Sequence, residues 1–394
     1  MHDQVVRLRK KRLPRLRGNH PWIYDNELEP RSLEHITPGA IVTVVDHHDR
    51  FVGKGYVNPR SRIAVRLLTR DARQNMDKEF FRTKLLACLK YRKQVGYEGS
   101  YRLVHGEGDE LPGLIIDRFA DVFVIQTLTL GMDQWKDTIV QLLNEMFEPR
   151  GIYERNDVPV RTLEGLPLNR GFLSEPFDPL VPISLTDASF LVDVAQGQKT
   201  GFYLDQRENR LALKNLCSGA EVLDCFCHTG AFSIYAACYG ASSVLACDTS
   251  EQSLAMGRRN AELNGCQHCV EFLESNAFDL LPRLVREGRR FDLIVLDPPA
   301  FTKNRQGLSR AVAGYREINL RALKLLRPGG FLFTFSCSHF MHEDLFRQTV
   351  AEAAADAGCL IRQVQRLEQA KDHPVLWHVP ETQYLKGLVL QTLS

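Results

Sequence analysis

The chain has 394 residues, 44% of them hydrophobic and 25% charged, with 50 Lys and Arg against 48 Asp and Glu for a net charge of +2. That is more chain than one ordinary domain holds, and the balance is that of a globular protein in water. No apolar run reaches the length of a membrane span, and the basic N-terminus lacks the apolar stretch of a secretory signal, so the sequence predicts a cytoplasmic protein without a membrane partner.

Residues 1 to 75 read as a basic, strand-rich domain. Residues 1 to 20 hold seven Lys and Arg, including Arg7, Arg9, Lys10, Lys11 and Arg12, against one Asp. Residues 58 to 73 hold five Arg, including Arg60 and Arg62, against one Asp. Such local excess suits phosphate backbones, although a solvated face has the same composition. "GAIVTVVDHHDRFVGKGYVN" alternates and turns in the manner of a small β-barrel. Residues 76 to 185 open on "MDKEFFRTKLLACLKYRKQVG", helical by its three-to-four apolar spacing. Two strand-like runs follow in "YRLVHGEGDELPGLIIDRFADVFVIQTLT", then a helix near 133 to 147 and a Pro-rich connector, "LSEPFDPLVPISL". A small α+β domain is expected there. From residue 186 to 394, short apolar runs ("EVLDCF", "SVLACD", "VEFLES", "FDLIVLD", "FLFTFSC") alternate with helical patterns, which predicts a mostly parallel sheet in an α/β, Rossmann-like domain. "YLKGLVLQTL" reads as an antiparallel closing strand.

Ligands of open α/β sheets bind beyond the carboxyl ends of the strands. Asp224 ends the first of these strands, before Gly230 and a helix near Ala231. Asp248, 24 residues on, ends the second and is placed to accept ribose hydroxyls. Asn276 and Ala277 follow the third, placed for an adenine edge. The first turn has one glycine where a dinucleotide's pyrophosphate needs a Gly-rich approach, so S-adenosyl-L-methionine fits better than NAD. Asp224 suits a cofactor carrying an amino group and a sulfonium. The bland reading is that these acids cap helices. "LDPPAF" follows the fourth strand: two prolines stiffen a turn that can hold Asp297 and Phe301 against a planar base.

"FTFSCSHF" ends a strand on Cys337. A thiolate adding at C6 of a pyrimidine makes C5 nucleophilic, and such covalent catalysis is one use for a thiol there. A small buried apolar residue is the other. There are ten cysteines in all. Cys266 and Cys269 make a lone CxxC with no second pair at a fitting distance, so no metal is expected.

With these motifs the chain resembles the bacterial ribosomal RNA large-subunit methyltransferases of the RlmI type, cytosine-C5 enzymes that use S-adenosylmethionine. "HPWIY" resembles the family's N-terminal PUA-like RNA-binding domain and "YRLVHGEGDELPGLIIDRF" its central domain. "QGQKTGFYLDQRENR", "LDCFCHTGAFS", "VLACDTS", "LDPPAF", "TFSCS", "DHPV" and "YLKG" resemble its class I methyltransferase signatures. The resemblance implies Cys337 as nucleophile, Tyr203, Asp205 and Arg207 leaning on the cofactor, and ribosomal RNA as partner. Ala231 stands where members often carry a second Gly. Two alternatives stay open: a purine N-methyltransferase using Asp297 and Phe301 with an inert Cys337, and an RNA-binding protein with a vestigial methyltransferase domain. A homodimer is compatible with the sequence, which does not fix the oligomer.

Overall fold

The computed structural model describes residues 4–10, 14–302 and 304–393, so Lys11 and Arg12 lie outside the described residues. The chain forms two compact units: Met1–Ile183 with Val192–Leu204 and Lys371–Thr382, and Ser184–Leu191 with Asp205–Ala370 and Gln383–Ser394. Among the described residues no helix is long and apolar enough to cross a membrane.

The first unit holds two five-stranded sheets. In one, Ile41–Val45 and Phe51–Val57 pair antiparallel as the alternation predicts. Asp46 Oδ1 closes their turn by accepting from the backbone N–H groups of His48 and Arg50 at 2.8 and 3.1 Å. Val42, Val44 and Val57 point inward with Val6, Ile23 and Val65. The other sheet runs from Tyr101–His105 through Leu114–Phe119 and Val122–Thr127 to Gly151–Asn156 and Asn169–Phe172. The helix Lys78–Gln94 packs on it because Phe81, Leu85, Cys88 and Arg92 share one buried face. Asp77 caps that helix by accepting from Phe80 N at 3.0 Å. Arg92 is fully buried and tolerable because Asp109 grips it with two contacts of 2.5 and 2.6 Å and its guanidinium also donates to Arg102 O and Asp372 O, each at 2.8 Å.

The second unit is built on seven strands: β1 (Glu221–Cys225), β2 (Ser243–Asp248), β3 (Val270–Glu274), β4 (Phe291–Leu296), β5 (Leu326–Ser336), β6 (Ile361–Glu368) and β7 (Lys386–Thr392). Their order is β3-β2-β1-β4-β5-β7-β6. β1 to β5 pair in parallel, and β7 runs antiparallel to both β5 and β6. β4 is an almost continuous apolar run because helices cover both faces of such a sheet. Leu223, Ile294, Leu296, Leu332 and Phe346 form its core. Strand order reverses between β1 and β4, and that switch point opens the crevice where such folds bind ligands.

Candidate active site at the strand ends

The turn after β1 carries three residues in the left-handed region: Phe226 (φ 65°), His228 (φ 51°) and Gly230 (φ 77°). Glycine adopts it freely, and a Cβ at Gly230 would come within 2.8 Å of the Phe272 ring. For the other two the conformation costs about 1–3 kcal/mol each. It turns the His228 N–H onto Asp248 Oδ2 at 2.9 Å. Ser250 N donates to Asp248 Oδ1 at 3.0 Å. Asp248 is thereby oriented by two backbone donors, and each oxygen keeps a lone pair for a further donor.

Asp224 is buried under this turn. Its Oδ2 accepts from Ser233 Oγ at 2.6 Å, while Oδ1 has no hydrogen-bond partner among the described residues. Burial pushes the carboxyl up to about 7; the Ser233 hydrogen bond opposes that rise, and the charges of Asp297 and Asp248 add to it. A buried carboxylate oxygen without a donor is costly. A cationic ligand relieves that cost, so the site fits S-adenosylmethionine, which carries an amino group and a sulfonium. Asn276 caps the helix Ala277–Arg286 by accepting from Phe278 N at 2.9 Å. Ala277 is buried as that helix's first residue.

Asp297 lies one residue beyond β4, where Gln206 Nε2 donates to its Oδ2 at 3.0 Å. Asn209 Nδ2 holds Gln206 by donating to its Oε1 at 2.5 Å, and also donates to Glu368 O at 3.0 Å. Phe301 packs its ring on Tyr315 at 4.6 Å and Phe278 at 5.6 Å, which ties the proline turn to the helix Leu308–Leu325.

Cys337 directly follows β5 and is half-buried, its Sγ 3.8 Å from Pro298 O. Behind it Ser336 Oγ donates to the Tyr315 hydroxyl at 3.0 Å. Lys386, the first residue of β7, pairs with Ser336 across the sheet. Its Nζ donates to Ser338 O at 2.7 Å. Burial pulls the ammonium down to about 8, and the charges of Cys337 and Glu343 oppose that fall. A thiol and a buried ammonium thus share one strand end. By contrast Cys225 and Cys227 are fully buried; a hydrogen bond with Cys247 in the first case and burial in the second hold their thiols well above the ordinary range.

The structure brings Asp224, Gly230, Asp248, Asn276, Ala277, Asp297 and Cys337 to the carboxyl ends of β1 to β5. Asp205 is buried and accepts from the Tyr384 hydroxyl at 2.7 Å, and Arg207 opens a short buried helix. Tyr203 belongs to the first unit, where its hydroxyl donates to Gln198 at 2.6 Å. Of the basic residues, Arg7 pairs with Asp49 at 2.5 Å and Arg9 Nε donates to Leu28 O at 2.7 Å. Lys10, Arg60 and Arg62 are exposed. Sequence reading missed Gln206 and Lys386. The first lies inside a segment read through its neighbours. The second needs the cross-strand register to come near Cys337.

A mainly parallel sheet with a switch point, acids at the ends of β1 and β2 and just after β4, and one glycine in the first turn fit an S-adenosylmethionine-dependent methyltransferase. The model of that family matches residues 172–390, and the model of a PUA-like domain matches residues 6–70. Proteins named ribosomal RNA large subunit methyltransferase I from Shewanella denitrificans and Klebsiella pneumoniae are 42% and 39% identical, each over 98% of both chains. The chain belongs to their family. A Streptococcus mutans protein described as a SAM-dependent methyltransferase has the same fold at 20% identity, with a TM-score of 0.82 over 98% of this chain and 99% of its own. A further protein, solved in complex with SAH, is also 20% identical, with a TM-score of 0.83 over 99% and 100%.

Proposed function

We propose that the protein methylates C5 of a cytosine in large-subunit ribosomal RNA, with Cys337 as a transient covalent nucleophile. One observation supports this most: at the end of β5 the Cys337 thiol, the Asp297 turn and the buried Lys386 ammonium converge. The ammonium favours thiolate over thiol. The thiolate forms a bond to C6, and the ring's electron pair moves to C5. S-adenosylmethionine supplies the methyl group to C5. A base then takes the C5 proton, the pair returns to the ring, the S–C6 bond breaks and the thiolate is restored. Asp297, steadied by Gln206, acts on the ring in its protonated form: the carboxylic acid donates to N3, draws electron density from the ring and eases attack at C6.

In this reading Asp224 meets the cofactor's cationic end, Asp248 the ribose and Asn276 the adenine. Asp205 and Arg207 shape the segment that carries Gln206. The exposed Arg60 and Arg62 meet phosphates, which position RNA without reading bases. Lys10 and Arg9 add to that field. RNA carrying 5-fluorocytosine at the target has no C5 proton to lose, so the enzyme should stay bonded to it. A denaturing gel should show the adduct for wild type and none for Cys337→Ala. Full methylation by Cys337→Ala would overturn the nucleophile assignment.

A further inference from the structure

The first unit contains a cavity of about 440 Å³, a size usual for small-ligand pockets. Trp22 from the N-terminal sheet and Arg60, Arg62 and Ile63 from the loop before Val65–Thr69 line it, with Ile115 from the second sheet and Leu163 from the 3-10 turn Pro159–Glu164. Its wall is largely apolar, with the Glu107 carboxylate and the Arg66–Glu164 pair also in the lining, and Arg60 and Arg62 are its exposed cations. Val160 and Leu163 line it while remaining 46% and 72% exposed, so both aliphatic side chains are open to a ligand. The Trp22 indole is fixed because Nε1 donates to Glu107 Oε1 at 2.8 Å.

The arginine loop is held rigidly. Asn58, fully buried, accepts from Arg60 N at 3.1 Å and donates through Nδ2 to Glu164 Oε2 at 2.8 Å and Glu164 O at 3.0 Å. Arg66 Nη2 donates to Glu164 Oε1 at 3.0 Å, so the buried acid of the floor is neutralised within the protein. Arg60 and Arg62 themselves are exposed, and neither guanidinium has an ion-pair partner among the described residues. Two unpaired guanidinium groups on a fixed loop beside an aromatic, aliphatic hollow match one chemistry closely. An unstacked nucleotide presents a flat apolar base between two phosphates, and single-stranded RNA is bound through such stacking and charge.

We propose that this cavity receives one unstacked nucleotide of the RNA substrate, at a place other than the methylated cytosine. Its base packs on Trp22, Ile63 and Leu163, and its flanking phosphates meet Arg60 and Arg62. The proposal rests on the reading that the substrate is RNA. It makes the first unit a reader of RNA shape: a position at which a base can leave the helix is selected over a continuous duplex.

Fluorescence anisotropy with three RNA hairpins tests it on the full chain. One carries a single unpaired adenosine, the second an abasic residue at that position, and the third is fully paired. Adenosine keeps the test away from a cytosine-specific catalytic site. Wild type should bind the adenosine hairpin about tenfold more tightly than the abasic one. The V160S/L163S variant changes only exposed side chains and should lose that preference while binding the abasic and paired hairpins as before. The R60Q/R62Q variant should bind all three more weakly. Equal wild-type affinity for the adenosine and abasic hairpins overturns the pocket and leaves RNA as substrate. A preference that survives both V160S/L163S and Trp22→Leu places the base elsewhere and also overturns it. Failure of wild type to bind any hairpin overturns the RNA reading itself.

Discussion

The two units treat charge in opposite ways. In the first, buried charges are paired off: Arg92 with Asp109, Arg66 with Glu164. Arg60 and Arg62, which have no ion-pair partner among the described residues, are exposed. In the second, unbalanced charge is kept inside, at the strand ends. Asp224 is buried with one oxygen lacking a donor, and Lys386 is buried with its ammonium pulled down to about 8. Exposed cations in water attract a polyanion at long range and are screened by salt. Buried groups out of balance shift their protonation and act at short range. The first pattern suits holding RNA and the second suits chemistry.

Several measurements break or sharpen that contrast, and the largest effect on turnover should come from Lys386. Lys386→Met should lower kcat by about 10²–10³-fold, the scale of losing one preorganised charge beside a reacting group, with S-adenosylmethionine affinity unchanged. The wild-type rate should also fall as pH rises past about 8, because the ammonium is present below that value and lost above it. A single-turnover pH profile for both proteins checks this. Full activity in Lys386→Met would remove the counter-ion role.

Glu164→Ala should cost about 3–5 kcal/mol of stability in the first unit, because it strands the buried Arg66. Urea unfolding should show that loss, while calorimetry shows S-adenosylmethionine still binding. Loss of cofactor binding with the second unit folded would refute the division of labour. Asp248→Ala should weaken the cofactor by about 1.5–3 kcal/mol, the worth of charged hydrogen bonds to ribose; unchanged affinity would refute that placement.

Asp224 gives a smaller, pH-dependent effect. Its carboxyl sits at about 7 in the free protein. A cationic ligand favours the carboxylate, so binding below that pH must release a proton. Affinity should rise from pH 5 to 7, at most tenfold per unit, and level off above. Calorimetry at several pH values should show this for wild type and a flat profile for Asp224→Asn. Smallest of all, Arg60→Gln and Arg62→Gln should each flatten the slope of log affinity against log salt by about 0.7–0.9, if each meets one phosphate.

Much of the second unit was legible in the chain. Its strands and helices alternate with clear apolar runs, and every acid or thiol that ends a strand could be read from where the run stops. Register was not legible. Lys386 meets the Cys337 region only because β7 inserts between β5 and β6 and sets Lys386 opposite Ser336. No local pattern encodes such pairing. Tyr203 and Asp205 are neighbours in sequence and fall in different units, since a compositional reading has no means of finding where contacts change sides. The segment Lys371–Thr382, read with the last domain, belongs to the first unit for the same reason. The cavity at Trp22 escaped too, because its walls come from stretches separated by about a hundred residues, and its arginines read only as charge.

The place of β7 has a consequence for biosynthesis. The strand that sits between β5 and β6 is made after both. Until Lys386–Thr392 is in place, β5 lacks its outer neighbour and β6 has no partner in the sheet, and open edges recruit other strands. The Cys337 region meanwhile lacks its buried ammonium. Arrival of β7 therefore covers the outer edge of β5, leaves the mostly exposed β6 as the edge strand on that side, and sets Lys386 opposite Ser336 in the same event.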